Sequence, residues 1–164
     1  MTPDGAPVPP RPRVLVLGGA SGMGRWMAHR LFHAAGCAVT VADVNPNTPH
    51  LVAPLGLAGV VAAYAAGRLA APAAGEFDVV AVAVPVAATP EVVAAVAPLV
   101  RPGALLCDVA SVKGPVVRAL LAHAPPGASL LSLHPLFGPA VRDPAGQHVG
   151  LVAPPGRGQP AWAA

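Results

Sequence analysis

Charged and aromatic residues are scarce in this chain of 164 residues. Only 10% of the residues are charged and 4% are aromatic, and the basic residues include a single lysine, Lys113. The basic residues are scattered, so the net charge of +3 forms no patch of the kind that binds nucleic acid. The sequence therefore predicts no nucleic-acid partner.

Long apolar runs and paired cysteines are also missing. Although 54% of the residues are hydrophobic, proline, glycine or a charge interrupts each apolar run before it reaches the roughly 20 residues of a membrane span. The two cysteines, Cys37 and Cys107, lie in apolar surroundings, which favours reduced core residues over a disulfide or a zinc site. We expect a cytoplasmic protein without a membrane segment or a metal.

Length and the distribution of prolines indicate a single domain. Residues 1–12 are proline-rich and are expected to form a disordered leader, and residues 154–164 form an irregular tail. Between them, residues 13–153 are predicted to form one α/β domain that binds a dinucleotide. Its sheet is expected to be doubly wound and mostly parallel, of the Rossmann type. The composition of residues 51–75, almost entirely small and apolar, predicts no particular element.

A strand, a glycine-rich turn, a helix and a second strand follow one another near the N-terminus. The first strand is predicted at Arg13–Leu17, the helix from about Gly22 to Ala35, and the second strand at Ala38–Ala42. This order is typical of the βαβ unit that binds dinucleotides. Apolar residues at every fourth helical position predict a buried face formed by Met23, Met27 and Leu31.

The glycine-rich turn predicts a pyrophosphate site, because backbone N–H groups at a helix N-terminus bind phosphate when no side chain blocks them. The candidate cofactor-binding residues of this turn are Gly19, Ser21, Gly22, Met23 and Gly24. Asp43, which ends the second strand, would accept hydrogen bonds from the adenosine ribose, and its charge repels a 2′-phosphate. NAD is therefore predicted over NADP, with Arg25 as the one nearby group that favours a phosphate. The alternative is a plain strand-to-helix turn.

Four further strands and two helices are predicted downstream. The apolar run from Asp78 ends at Val84 and Pro85, where the chain would pass the nicotinamide side of a dinucleotide, or where proline simply ends the strand. Thr89 is the predicted N-cap of the next helix. The later strands are predicted at 104–107, 130–133 and 148–153, and a second helix at about 116–123.

Ser111 and His134 are the candidate catalytic residues. Each follows a predicted strand, so both are expected at the carboxyl edge of the sheet, where open α/β sheets bind ligands. A histidine titrates near neutrality and can take a proton from a substrate hydroxyl as hydride leaves the same carbon. A neighbouring serine can orient the imidazole. The alternative is that His134 only ends a strand.

Two other patterns suggest a short-chain dehydrogenase and a metal site, but the surrounding residues disfavour both. The turn also fits the fingerprint of short-chain dehydrogenases, but those enzymes need a tyrosine and a lysine four residues apart, and Arg68 stands four residues after the only tyrosine, Tyr64. His29 and His33 have the spacing of a metal-binding pair, but no third ligand is evident, and a solvated helix face is favoured.

Taken together, these segments resemble the prephenate dehydrogenase family. The resemblance covers Val14 to Ala153 and includes the glycine-rich turn, Val84-Pro85 and two specific motifs. The first motif is Asp108-Val109-Ala110-Ser111-Val112-Lys113, and the second is His134-Pro135-Leu136-Phe137-Gly138-Pro139. In this family, the histidine deprotonates the ring hydroxyl of prephenate, hydride passes to NAD, and loss of carbon dioxide gives 4-hydroxyphenylpyruvate. The resemblance implies this role for His134 and an assisting role for Ser111.

Arogenate and 4-amino-4-deoxyprephenate are alternative substrates that the resemblance implies. The sequence departs from the family pattern at Ala140, where many members have an acidic residue, and it lacks the helical domain that follows in the family. We therefore expect a homodimer, or a full-length partner that supplies that domain. Three alternatives stay open: a truncated NAD-binding domain without activity, a relative of the short-chain dehydrogenases, and a β-hydroxyacid dehydrogenase with Lys113 as its base.

Overall fold

The computed structural model describes residues 10–62, 64–65, 68–69, 74–154 and 157, so most of the predicted leader and tail lies outside the described residues. The strands are β1 (Arg13–Leu17), β2 (Ala38–Asp43), β3 (Ala58–Val61), β4 (Tyr64–Ala65), β5 (Arg68–Leu69), β6 (Val79–Val82), β7 (Leu105–Asp108), β8 (Ser129–Pro135) and β9 (Val149–Val152). The α-helices are α1 (Gly22–Trp26), α2 (Thr48–Val52), α3 (Thr89–Val96) and α4 (Lys113–His123).

Seven strands form one sheet in the order β3-β2-β1-β6-β7-β8-β9, and β4 and β5 pair separately as antiparallel strands. Every neighbouring pair in the large sheet is parallel except β8 and β9. The strand order reverses between β1 and β6, which creates the crevice where doubly wound sheets bind ligands. The predicted Rossmann-type fold is confirmed.

Alternate residues of β1 serve two separate hydrophobic cores. Leu15 and Leu17 face the core formed with α3 and α4, whereas Val14 and Val16 face the core formed with α1 and α2. All four side chains are fully buried. Burial on both faces explains why this strand is a continuous apolar run rather than an alternating one. No helix among the described residues is long and apolar enough to cross a membrane.

The first helix departs from the predicted α-helix after one turn. From Met27 to His33 the backbone is π-helical, with the N–H of Ala34 donating to the carbonyl of His29. Because a π-helix closes its hydrogen bonds over five residues instead of four, the predicted stripe of apolar residues does not stay on one face. The prediction that Leu31 is buried is therefore wrong: its side chain is 41% exposed.

The predicted N-cap of α3 is also wrong by one residue. Ala88 is the N-cap, and Thr89 is the first helical residue. The Thr89 hydroxyl is buried and donates a hydrogen bond of 3.1 Å to the carbonyl of Pro85 instead of accepting one from the helix. Thr89 therefore ties the start of α3 to the Val84-Pro85 segment at the end of the central sheet.

We predict that the two cysteines differ in reactivity. Burial, with a smaller contribution from the Asp108 carboxylate and an opposing one from Lys113, raises the pKa of Cys107 from 9.0 to about 12. Because the thiolate is the reacting form, native protein treated with iodoacetamide should be alkylated at Cys37, which is only partly buried, and not at Cys107. Peptide mass spectrometry measures this. Equal modification of both thiols before unfolding would contradict the packing of β7.

Candidate active site

The carboxyl ends of the central strands lie in one line across the sheet. Leu17 of β1 is level with Ala42 of β2 and with Val82 of β6. Val82 is in turn level with Asp108 of β7, which is level with Ser132 of β8. The residues that follow these five positions therefore meet at one edge of the sheet.

A cavity of about 660 Å³ opens at this edge and is lined by residues from the ends of five strands and from the starts of α1 and α3. Eight of the sequence-predicted site residues line it: Ser21, Gly22, Met23, Asp43, Val84, Pro85, Ser111 and His134. Residues separated by more than a hundred positions in the sequence are thus brought to one cavity. Its size is within the range of ligand pockets.

The glycines of the turn have different roles. Gly22 has a φ of +54°, and no heavy atom lies within 4 Å of the position that a Cβ would occupy, so the space in front of it is open. A Cβ on Gly24 would lie 2.2 Å from the carbonyl oxygen of Gly18, and a Cβ on Gly19 would clash with Val41. Gly19 and Gly24 do not line the cavity; they let the turn pack against the strands behind it.

The Asp43 carboxylate holds the turn in place. Its Oδ2 accepts a hydrogen bond of 2.9 Å from the backbone N–H of Ala20, and its Oδ1 accepts one of 3.0 Å from the N–H of Asn45. Asp43 is half-buried and lines the cavity. A carboxylate oxygen has more than one lone pair, so both oxygens retain acceptor capacity toward a ligand.

Ser111 and His134 form the opposite wall of the same cavity. Ser111 is exposed and lies just after β7, whereas His134 is partly buried and is the second-to-last residue of β8. Among the described residues, neither the Ser111 hydroxyl nor the His134 imidazole has a hydrogen-bond partner. Both groups are therefore available to a ligand.

A buried network joins the two strands that carry Ser111 and His134. The fully buried Asp108 accepts hydrogen bonds from the N–H of Ala110 at 2.8 Å, from Lys113 Nζ at 2.8 Å and from the Ser132 hydroxyl. Lys113 Nζ also donates to Ser132 Oγ at 2.9 Å and to the carbonyl of Leu133. The network thus fastens the end of β7 to the end of β8.

Sequence reasoning did not find this network, because it considered Lys113 only as a possible catalytic base. The Lys113 ammonium has three acceptors within the protein and does not line the cavity. An ammonium group has three donors, so all of them are taken. The sequence feature that could have predicted the network is the single lysine, which stands five residues after an acid that ends a strand. The geometry argues against the β-hydroxyacid dehydrogenase alternative.

The connection between β8 and β9 packs back onto α1. Trp26 Nε1 donates a hydrogen bond of 2.6 Å to the carbonyl of Val141, and the Trp26 and Phe137 rings meet edge to face with centroids 4.9 Å apart. The predicted His-Pro-Leu-Phe-Gly-Pro motif is therefore held at two points: β8 holds His134, and α1 contacts Phe137.

We predict that breaking the buried ion pair costs much more than breaking an exposed one. Lys113→Met leaves the Asp108 carboxylate buried without its cation, which should lower the free energy of unfolding by about 3–5 kcal/mol. Asp108→Asn combined with Lys113→Met removes both charges and should recover most of that loss. Arg101→Met, the control, breaks the exposed pair with Asp78 and should cost about 0–1 kcal/mol. Urea unfolding followed by circular dichroism measures all three, and equal losses for Lys113→Met and Arg101→Met would contradict the network.

Comparison with known proteins identifies the family to which the chain belongs. Residues 31–152 match the family model described as prephenate dehydrogenase, nucleotide-binding domain. This span includes Asp43, Ser111 and His134 but begins after the glycine-rich turn, whose assignment rests on its own geometry. The fold is similar to that of Aquifex aeolicus prephenate dehydrogenase in complex with hydroxyphenyl propionate and NAD⁺, with a TM-score of 0.65 and 21% identity over 87% of this chain and 51% of that one.

Two curated relatives have higher sequence identity. The probable arogenate/prephenate dehydrogenase of Methanocaldococcus jannaschii is 32% identical over 128 residues, which are 77% of this chain and 27% of that protein. The 4-amino-4-deoxyprephenate dehydrogenase of Streptomyces pristinaespiralis is 37% identical over 134 residues, which are 79% of this chain and 42% of that protein. The chain thus spans less than half the length of either relative. It belongs to the family of prephenate dehydrogenase nucleotide-binding domains.

Proposed function

We propose that this chain binds NAD and carries the acid–base residue of an oxidative decarboxylation of prephenate or a close analogue. The observation that carries the proposal is that Asp43, at the dinucleotide end, and His134, at the catalytic end, line the same cavity. One ligand that occupies this cavity can therefore contact both ends, as an extended dinucleotide would.

The residues of the cavity fit NAD. The open space in front of Gly22 can take a pyrophosphate, which the backbone N–H groups of the turn would bind. Asp43 would accept hydrogen bonds from the adenosine ribose, and its negative charge disfavours the 2′-phosphate of NADP. Val84 and Pro85 would contact the nicotinamide end, next to Ser111 and His134.

The chemistry assigned to the protein is a single proton transfer. His134 accepts the proton of the substrate ring hydroxyl as the carbon–oxygen bond gains double-bond character. A bound NAD⁺, held by the glycine-rich turn and Asp43, would supply the hydride acceptor for the same carbon. Loss of the ring carboxylate as carbon dioxide then aromatises the ring, so that prephenate gives 4-hydroxyphenylpyruvate, carbon dioxide and NADH. Ser111 orients the imidazole or shares the substrate hydroxyl.

The substrate and the remaining substrate-binding groups also belong to the proposal. The relatives are named for prephenate, arogenate and 4-amino-4-deoxyprephenate, which share the ring that becomes aromatic. We propose that the chain pairs with a second copy or with a full-length partner, and that the helical domain of a full-length partner contributes the groups that bind the carboxylates of the substrate. The proposal keeps the cytoplasmic location expected from the sequence.

Asp43→Ala should weaken NAD binding more than NADP binding. The change removes the ribose acceptor and the bond that holds Ala20, and it also removes the charge that repels the 2′-phosphate. We expect at least a tenfold rise in Kd for NAD in calorimetric titration, in line with the loss of a charge-assisted hydrogen bond. Asp143→Ala is the matched control, since this exposed carboxylate likewise accepts a backbone N–H but lies outside the cavity. Tighter binding of NADP than NAD by the unchanged chain would refute the role of Asp43.

His134→Asn should abolish most of the turnover without loss of NAD binding. Asparagine keeps a hydrogen-bonding group but cannot accept the proton, so kcat should fall by roughly 10²–10⁴-fold. Ser111→Ala should cost less, because the serine orients rather than accepts. The assay is NADH formation from prephenate by the chain alone and with a helical domain supplied in trans. Unchanged turnover by His134→Asn would refute the mechanism, and failure of the unchanged chain in both assays would refute catalysis while leaving NAD binding to its own test.

A further inference from the structure

A second cavity, of about 470 Å³, lies between α1 with its π-helical segment, the α2 region and the β8–β9 connection. Of the residues that line the cofactor cavity, only Gly22 also lines this one. The two cavities are therefore neighbours with separate walls. Arg25 and His29, two residues that the proposed function leaves without a role, both line the second cavity.

The charge of the second cavity is entirely positive. Arg25 and Arg30 line it together with His29, and none of the described residues that line it is acidic. Within the described residues, neither guanidinium has an ion-pair or hydrogen-bond partner. Each group keeps its planar set of donors free, and this is the arrangement that binds a phosphate or a carboxylate with two parallel hydrogen bonds.

The rest of the wall is apolar. The Trp26 side chain is 7% exposed, and its indole N–H is already bound to the carbonyl of Val141, so the ring offers the cavity carbon surface. Leu51 and Leu55 line the side contributed by the α2 region. A ligand that fits must therefore combine an anionic group with an apolar body.

We propose that the second cavity binds a small organic anion, whose phosphate or carboxylate pairs with Arg25 and Arg30 while its apolar part packs against Trp26 and Leu51. The ligand binds alongside NAD, because the two cavities share only Gly22. The site is independent of the proposed catalytic reaction, since neither Ser111 nor His134 lines it.

The test uses phenyl phosphate as the probe and Trp26 fluorescence as the signal. Trp162→Phe, which removes the only other tryptophan, serves as the parent chain. We expect saturable quenching by phenyl phosphate, both without NAD and with saturating NAD, and none by benzyl alcohol, which has the ring without the charge. Absence of saturable binding to the parent, or loss of binding on addition of NAD, would overturn the proposal.

Substitutions locate the site. Arg25→Ala and Arg30→Ala should each weaken phenyl phosphate binding about tenfold or more, as expected for a lost charge-assisted hydrogen bond. Arg118→Ala, an exposed arginine of α4, is the control and should have no effect. Each change is at an exposed residue, so the far-ultraviolet circular dichroism should stay that of the parent. Equal weakening by Arg118→Ala would indicate binding by general charge attraction and would overturn the site.

A carboxylate added to the wall gives the reverse test. Ala140 lines the cavity, and Ala140→Glu should compete with the anion for the guanidinium groups and weaken binding at least tenfold. Ala145→Glu adds the same charge to the same connection outside the cavity and is the matched control. An equal effect of the two glutamates would contradict the assigned position.

Discussion

The buried carboxylate of Asp108 is the group on which the side of the cavity formed by Ser111 and His134 depends. An ionised carboxylate without partners is costly to bury, and this one is compensated by a backbone N–H, a hydroxyl and an ammonium. The compensating groups come from both sides of the β7–β8 pair. As a result, the positions of Ser111 and His134 relative to each other follow from how one negative charge is neutralised, rather than from any contact between the two residues.

On the dinucleotide side of the cavity, a second carboxylate is stabilised in a similar way but by fewer partners. Asp43 also ends a strand and also accepts backbone N–H groups, from Ala20 and Asn45, but it is only half-buried, and no described cation forms an ion pair with it. The difference suits the two tasks. Asp108 is enclosed and serves only to hold strands together, whereas Asp43 orders the glycine-rich turn and still faces the cavity. Of two carboxylates that each end a parallel strand, one is thus structural and the other faces the cavity.

Local patterns predicted the turn, six strands of the large sheet and eight of the residues that line the cavity, but not the strands β3, β4 and β5. Apolar runs followed by polar residues locate the carboxyl edge of a parallel sheet, and this rule alone brings Asp43, Ser111 and His134 together. What the sequence did not predict depends on contacts between distant segments. The π-helical segment, the bond from Trp26 to Val141 and the cavity lined by Arg25 and Arg30 all arise where α1 meets other parts of the chain. No periodicity within a single segment encodes them.

The antiparallel β9 determines where the polypeptide goes next. The parallel strands end at the cavity, but β9 starts level with Pro135 beside it and runs away from it, to Val152 level with Ser132. Arg157 then donates to the carbonyls of Ala124 and Pro125, just before β8 begins. Arg157 therefore lies at the edge of the sheet opposite the cavity. This antiparallel strand thus joins the two edges of the sheet, because it begins beside the cavity and leads to a residue that binds the loop before β8 at the other edge.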